Sequence, residues 1–259
     1  MKRKVYEQLL EWKNQEHHKP LLLNGVRQCG KTYVLKEFGR REFDSLAYVS
    51  CDRNVNLQAI YSGDFDVARI IQGLSALTGV DIIPDKTLIF LDEVQAFPQA
   101  LEALKYFCED APEYHIAVAG SLLGVALHAG VSFPVGKVQT LRLFPMDFEE
   151  FLMAMGEEQL LKLMHSHDYE LMNAFHEKLK DLLRQYYYVG GMPEVVKAFV
   201  ENKLLNQVRS LQNEILSNYA SDFSKHAPSQ EVPRIDMVWQ SILGQLSKEN
   251  KKFVYGVLK

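Results

Sequence analysis

The chain has 259 residues, 47% of them hydrophobic and 24% charged, so it can build one large domain, or one domain with a smaller module, and it is not disordered by composition. Its net charge of -4 gives no general electrostatic case for nucleic acid, although local basic patches stay open. No segment is long and apolar enough to span a bilayer, and Cys29, Cys51 and Cys108 are widely spaced outside any zinc pattern, which leads us to expect a soluble, cytoplasmic protein in a reducing compartment.

In chain order, residues 1–16 are predicted as an amphipathic helix, with Val5, Leu9, Leu10 and Trp12 on or near one face. "PLLLN" (20–24) is a short buried strand, and "KTYVLKEFGRREF" (31–43) has helical spacing in Val34, Leu35 and Phe38. Between them lies "GVRQCGKT". Gly25, Gly30, Lys31 and Thr32 meet the G-x-x-x-x-G-K-[ST] pattern in the strand, loop, helix context it requires. The glycines permit backbone turns barred to other residues, so loop amides can face phosphate oxygens, and the helix N-terminus adds positive potential. We therefore expect Gly25, Val26, Arg27, Gln28, Cys29, Gly30, Lys31, Thr32 and Tyr33 to bind nucleotide. Lys31 would reach the β/γ-phosphates and Thr32 would hold magnesium. Cys29, beside a helix N-terminus, is read as a small filler residue rather than as a thiol with a lowered pKa.

"SLAYVSCD" (45–52) is a second strand and 64–79 a helix. "DKTLIFLDEVQ" (85–95) supplies a third strand that ends in two adjacent acids. Ligands of open α/β sheets bind at the carboxyl edge, so Asp92 is predicted to meet the metal ion, as a Walker B acid does. Glu93 should point to the opposite side of the extended chain and polarise a water. After a helix at 99–110, "YHIAVAGS" (114–121) is a strand that ends in Ser121, and 137–145 is a fifth strand. Strands alternating with helices imply a parallel sheet covered on both faces. Beyond Pro145 only helical patterns follow. "HSH" (165–167) lacks metal-ligand spacing and reads as solvated helix surface, and Gly190 and Gly191 read as turn chemistry.

With "GVRQCGKT", "LDEVQ" and "AGSLL" (119–123) in place, the sequence resembles the AAA-type P-loop ATPases of a bacterial and archaeal branch. "LFPMDFEEFL" (143–152), "YYYVGGMPEVV" (186–196) and the stretch from "DFSKHAPS" to "LSKENKKF" (222–253) extend the resemblance over nearly the whole chain. It implies a three-layer α/β/α fold with five parallel strands in the order 5-1-4-3-2, ATP and Mg2+ as cofactors, and Ser121 as a sensor of the γ-phosphate or attacking water. It also implies a helical lid (151–225) after the core (1–150), then the start of a winged-helix-like module (226–259). In the family a restriction-endonuclease-like domain follows, and this chain is expected to be a shortened form. The family's arginine pair before the fifth strand is missing, with Lys137 in its place and Arg142 inside the strand. Arg27 is either a substitute in cis or a structural partner of Asp92 or Glu93, and both stay open.

The expected activity is Mg2+-dependent ATP binding and hydrolysis that couples nucleotide state to a partner. That partner would be DNA or a protein engaged through the C-terminal part, and oligomers are compatible. Lys248, Lys251 and Lys252 would supply a DNA contact or merely a solvated face. Alternatives are a nucleotide-binding switch or scaffold with very slow turnover and a small-molecule kinase, although 150–183 lacks the arginines a kinase lid needs.

Overall fold

The computed structural model describes residues 1–52, 54–120, 134–227 and 229–249. The chain forms two compact units, 1–197 and 198–259.

In the first unit, helix α1 (Val5–Lys13) precedes strand β1 (Leu21–Gly25) and helix α2 (Lys31–Glu42). Strand β2 (Ser45–Ser50), helices α3 (Asn56–Ile60) and α4 (Val67–Thr78), and strand β3 (Thr87–Asp92) follow. Helix α5 (Gln99–Asp110) then leads to β4 (His115–Gly120) and β5 (Gln139–Leu143). The strands are all parallel, in the order β2-β3-β4-β1-β5, which is the expected 5-1-4-3-2 read from the other edge. The short helix α3 was not expected from the sequence.

β3 and β4 are buried along their whole lengths, as befits central strands of a sheet covered on both faces. Because successive strand residues face opposite ways, each strand supplies two layers. Leu88 and Phe90 join Leu21, Leu23, Ala117 and Ala119 under α1 and α2, where Val5, Leu9, Trp12, Val34, Leu35 and Phe38 are buried. Ile89 and Leu91 join Leu22, Ile116 and Val118 on the other face, packed with Ile70 and Leu74 of α4 and with Leu101, Leu104 and Phe107 of α5. Asp66 caps α4 by accepting from the Ala68 N–H at 3.0 Å, and Gly79, with φ of 68°, closes it.

Among the described residues after Leu143, every element is helical. Asp147 and Glu150 form a reciprocal capping box at the start of α6 (Phe148–Ala154). Helices Glu158–Ser166, Tyr169–Ala174, His176–Val189 and Pro193–Asn202 follow, and Leu152 of α6 makes a small core with Leu160 and Leu182. In the second unit, helices Leu205–His226 and Val232–Leu246 meet through Tyr219 and Trp239, whose rings stack at 6.1 Å. No helix among the described residues is long and apolar enough to cross a membrane.

Candidate nucleotide site

Parallel strands end at one common edge, and the glycine loop and both acids lie there. The registers Leu22↔Val118 and Leu91↔Val118 bring Leu91 level with Leu22, so Asp92 stands level with Leu23, two residues short of Gly25.

The loop is shaped by close backbone packing. A Cβ at Gly25 would lie 2.3 Å from the Leu143 carbonyl oxygen, so no side chain fits where β1 passes the end of β5. Gln28 and Gly30 have φ of 61° and 97°, and these two left-handed residues turn the chain sharply into α2. Cys29 between them is fully buried, its Sγ 3.6 Å from the Leu143 carbonyl oxygen. Burial raises its thiol pKa, outweighing the nearby Lys31 and Arg3 charges, so the filler reading fits and a lowered pKa does not. Val26, Gln28 and Tyr33 are exposed, while Arg27, Gly30 and Thr32 are half-buried.

Lys31 is 6% exposed, and its Nζ donates to the carbonyls of Gly25 at 2.9 Å and Val26 at 2.8 Å. The lysine thus folds back over the loop it terminates. Burial lowers its pKa, partly offset by the negative charges of Glu93 and Asp92. A desolvated ammonium makes strong charge-assisted hydrogen bonds to oxygen acceptors.

Asp92 is 4% exposed at the end of β3, where its carboxylate accepts from the Glu93 N–H at 3.1 Å and from the Tyr48 hydroxyl at 3.3 Å. Glu93 departs from expectation. It is not extended but left-handed, with φ of 51° and ψ of 43°, because the strand stops at Asp92 and a 3-10 turn (Val94–Ala96) begins. Its separation from Asp92 therefore comes from a turn, not from strand alternation. Its carboxylate accepts a hydrogen bond from Gln95 Nε2.

Arg3, unforeseen in the sequence, holds the loop from behind. Buried at 7% exposure, it donates to the Cys29 carbonyl at 2.8 Å, the Phe144 carbonyl at 2.6 Å and Glu150 Oε1 at 3.1 Å. Glu150 is also buried and accepts from the Lys4 N–H at 2.7 Å. One guanidinium thereby ties together the chain start, the glycine loop, the exit of β5 and α6. No local motif announces a contact 147 residues apart.

Gly191 has a reason beyond turn chemistry. A Cβ there would lie 2.1 Å from the Met146 carbonyl oxygen, and the Met146 N–H donates to the Gly191 carbonyl at 2.6 Å. Tyr186 Oη adds a bond to the Met146 carbonyl at 2.9 Å, which docks "YYYVGGMP" against the chain just after β5. Pro193 of the same segment reaches the loop, its Cγ 3.7 Å from where a Gly30 Cβ would stand.

Ser121, Lys251 and Lys252 lie outside the described residues. Lys137 is spent on an ion pair with Glu109 at 2.8 Å, and Arg142 is exposed on β5. His165 and His167 are exposed, as read.

The chain belongs to the AAA domain family, which matches residues 17–152. Residues 180–259 match a second family, a domain of unknown function (DUF8612). No curated protein matches the chain. Among solved structures it is similar to a Walker-type ATPase of Pyrococcus abyssi, at 16% identity and a TM-score of 0.58, over 94% of this chain and 80% of that one. A weaker likeness, with a TM-score of 0.45 and 14% identity over 97% and 82% of the chains, is to Drosophila ORC bound to DNA. The first likeness agrees with the P-loop ATPase fold, and family membership supports nucleotide binding and ATPase activity in general terms.

Proposed function

We propose that the protein binds ATP with Mg2+ and hydrolyses it, and that nucleotide state sets its affinity for a partner. The observation that carries this reading is the buried Lys31, anchored on its own glycine loop at the same sheet edge as the buried Asp92.

In this reading the triphosphate lies along residues 25–32, held by backbone amides and by Lys31 once its Nζ exchanges the Gly25 and Val26 carbonyls for β/γ oxygens. The oxygen donors of Thr32 and Asp92 suit a hard cation, and two of roughly four lone-pair sites on Asp92 are taken by Tyr48 and Glu93. Those two residues would hold magnesium, which when bound neutralises charge on the phosphates. Glu93 would orient the attacking water and accept its proton, with Ser121 as a further polar contact. Positioning and charge stabilisation, with no covalent intermediate, supply the rate. We further propose residues 1–150 as the ATPase core, 151–225 as a lid and the chain from 226 as a partner-binding part, for DNA or protein.

Titrating the Lys31→Ala variant with Mg-ATP in a calorimeter tests the reading. Binding should be lost or nearly so, and unchanged affinity would overturn the phosphate-loop assignment. A second reading, a switch with very slow turnover, is favoured by the Gln95 amide on the Glu93 carboxylate, which would keep that base from water. Under that reading Gln95→Ala raises the single-turnover rate of phosphate release. If Gln95 instead orients Glu93 for catalysis, the same change lowers it.

A further inference from the structure

At the opposite edge of the sheet, three loops bring together His18, between α1 and β1, Asp85, before β3, and His115, the first residue of β4. One potential ligand atom from each lies within 4.8 Å of the others. The sequence separates these residues by dozens of positions, and only the parallel topology, which gathers strand beginnings at one edge, makes them neighbours.

Both histidines are more than nine-tenths buried, and the Nδ1 atom of each is buried without a hydrogen-bond partner. The His115 Nε2 lies 3.3 Å from the Lys13 carbonyl oxygen. A carbonyl can only accept, so Nε2 carries the proton and Nδ1 presents a lone pair, facing Asp85 Oδ1 at 3.7 Å. A second-sphere carbonyl on the far ring nitrogen is how metal-ligating histidines are usually oriented. The imidazoles overlap at 3.7 Å between centroids, tilted by 32°, with Trp12 against both and Phe43 against His115. Aromatic packing accounts for the rings being inside. It leaves the two unpartnered nitrogens, in stacked rings beside a carboxylate, unexplained.

We propose that His18, His115 and Asp85 form a binding site for a divalent late-transition ion of the zinc class. Two imidazole nitrogens and one carboxylate are a borderline donor set that suits Zn2+ and disfavours Mg2+, so this site and the nucleotide site select different ions. Bonds of about 2.0–2.1 Å in a tetrahedral site need ligand atoms about 3.3 Å apart, so the cluster must contract. Asp85, with a side chain 74% exposed, sits in a loop and can close on the rings, leaving the remaining coordination to water. A bound ion fastens the chain between α1 and β1 to the beginnings of β3 and β4.

The test uses the full chain, stripped with a chelator and titrated with Zn2+ alone, without nucleotide. Calorimetry should show one high-affinity ion per chain, and Zn2+ at about a hundredfold over Kd should raise Tm by about 5–10 °C. Asp85→Ala, at an exposed position that leaves the core untouched, should weaken binding about tenfold or more, and His18→Gln about a hundredfold. Lys31→Ala should bind Zn2+ like the parent, which separates this site from the nucleotide reading. If Zn2+ does not bind, if Asp85→Ala binds it unchanged, or if His165→Gln abolishes binding instead, the proposal fails.

Discussion

The two edges of the one sheet hold their buried ionisable side chains in different ways. At the carboxyl edge Lys31 and Arg3 are both buried cations, and each is hydrogen-bonded by its own chain, with the carbonyls of Gly25 and Val26 on one and those of Cys29 and Phe144, plus Glu150, on the other. At the amino edge His18 and His115 each keep a buried nitrogen without a hydrogen-bond partner. The contrast separates two ways to prepare a ligand site. Where a ligand takes over groups already bonded within the chain, binding and rearrangement are coupled, whereas an unsatisfied nitrogen gains a bond outright.

That contrast depends on Arg3 being structural and Lys31 exchangeable, and the largest expected effect comes from breaking the former. Arg3→Ala leaves the buried Glu150 uncompensated and frees the Cys29 and Phe144 carbonyls, which should cost about 3–5 kcal/mol in a urea unfolding titration. Because the loop loses its support, ATP affinity should fall as well. A double variant with Glu150→Gln should recover part of the stability, and finding no coupling between the two positions would show that the clamp is not a unit.

Next in size is the division between the two acids. Glu93→Gln keeps shape and removes the base, so Mg-ATP should bind as before while turnover falls about a hundredfold. Asp92→Asn should instead reduce the dependence of binding on Mg2+. Equal, modest losses of turnover from both would mean that the left-handed turn at Glu93 does not separate their tasks.

What was legible in the sequence follows the same geography. The carboxyl edge is built from runs of adjacent residues, "GVRQCGKT" and "LDEVQ", because a loop that wraps a phosphate and a strand that ends in acids are local objects. The strands were legible for a related reason, since buried parallel strands such as Leu88–Leu91 are continuous apolar runs. Arg3, Gly191 and the His18, Asp85 and His115 cluster were not legible, because each is defined by a partner far away in the chain: Glu150, the Met146 backbone, or one another. The conformation of Glu93 was misjudged because alternation holds only while the strand continues, and the chain turns one residue after Leu91 has passed to Asp92. The Asp147 and Glu150 capping box was in plain sight as "DFEE", yet its meaning depended on Arg3, which takes the same carboxylate.

The smallest effect sharpens the comparison from inside the carboxyl edge. Tyr48 of β2 donates to Asp92 Oδ2 at 3.3 Å, a long bond, and its ring lies 3.4 Å beneath the Lys36 ammonium. Burial and then the Asp92 charge raise the Tyr48 pKa, so the phenol stays a neutral donor at physiological pH. Tyr48→Phe keeps the ring and the cation contact and removes only the hydroxyl. Stability should change by less than about 1 kcal/mol, since the lost bond is long and Asp92 keeps the Glu93 N–H. If saturation by the chain's own groups is what ligands must overcome at this edge, releasing one Asp92 oxygen should lower the Mg2+ concentration needed for half-maximal ATP binding about two- to threefold. A higher Mg2+ requirement would mean that Tyr48 aims the carboxylate at the metal, and the bond would then belong to the site's organisation and not to the cost of opening it.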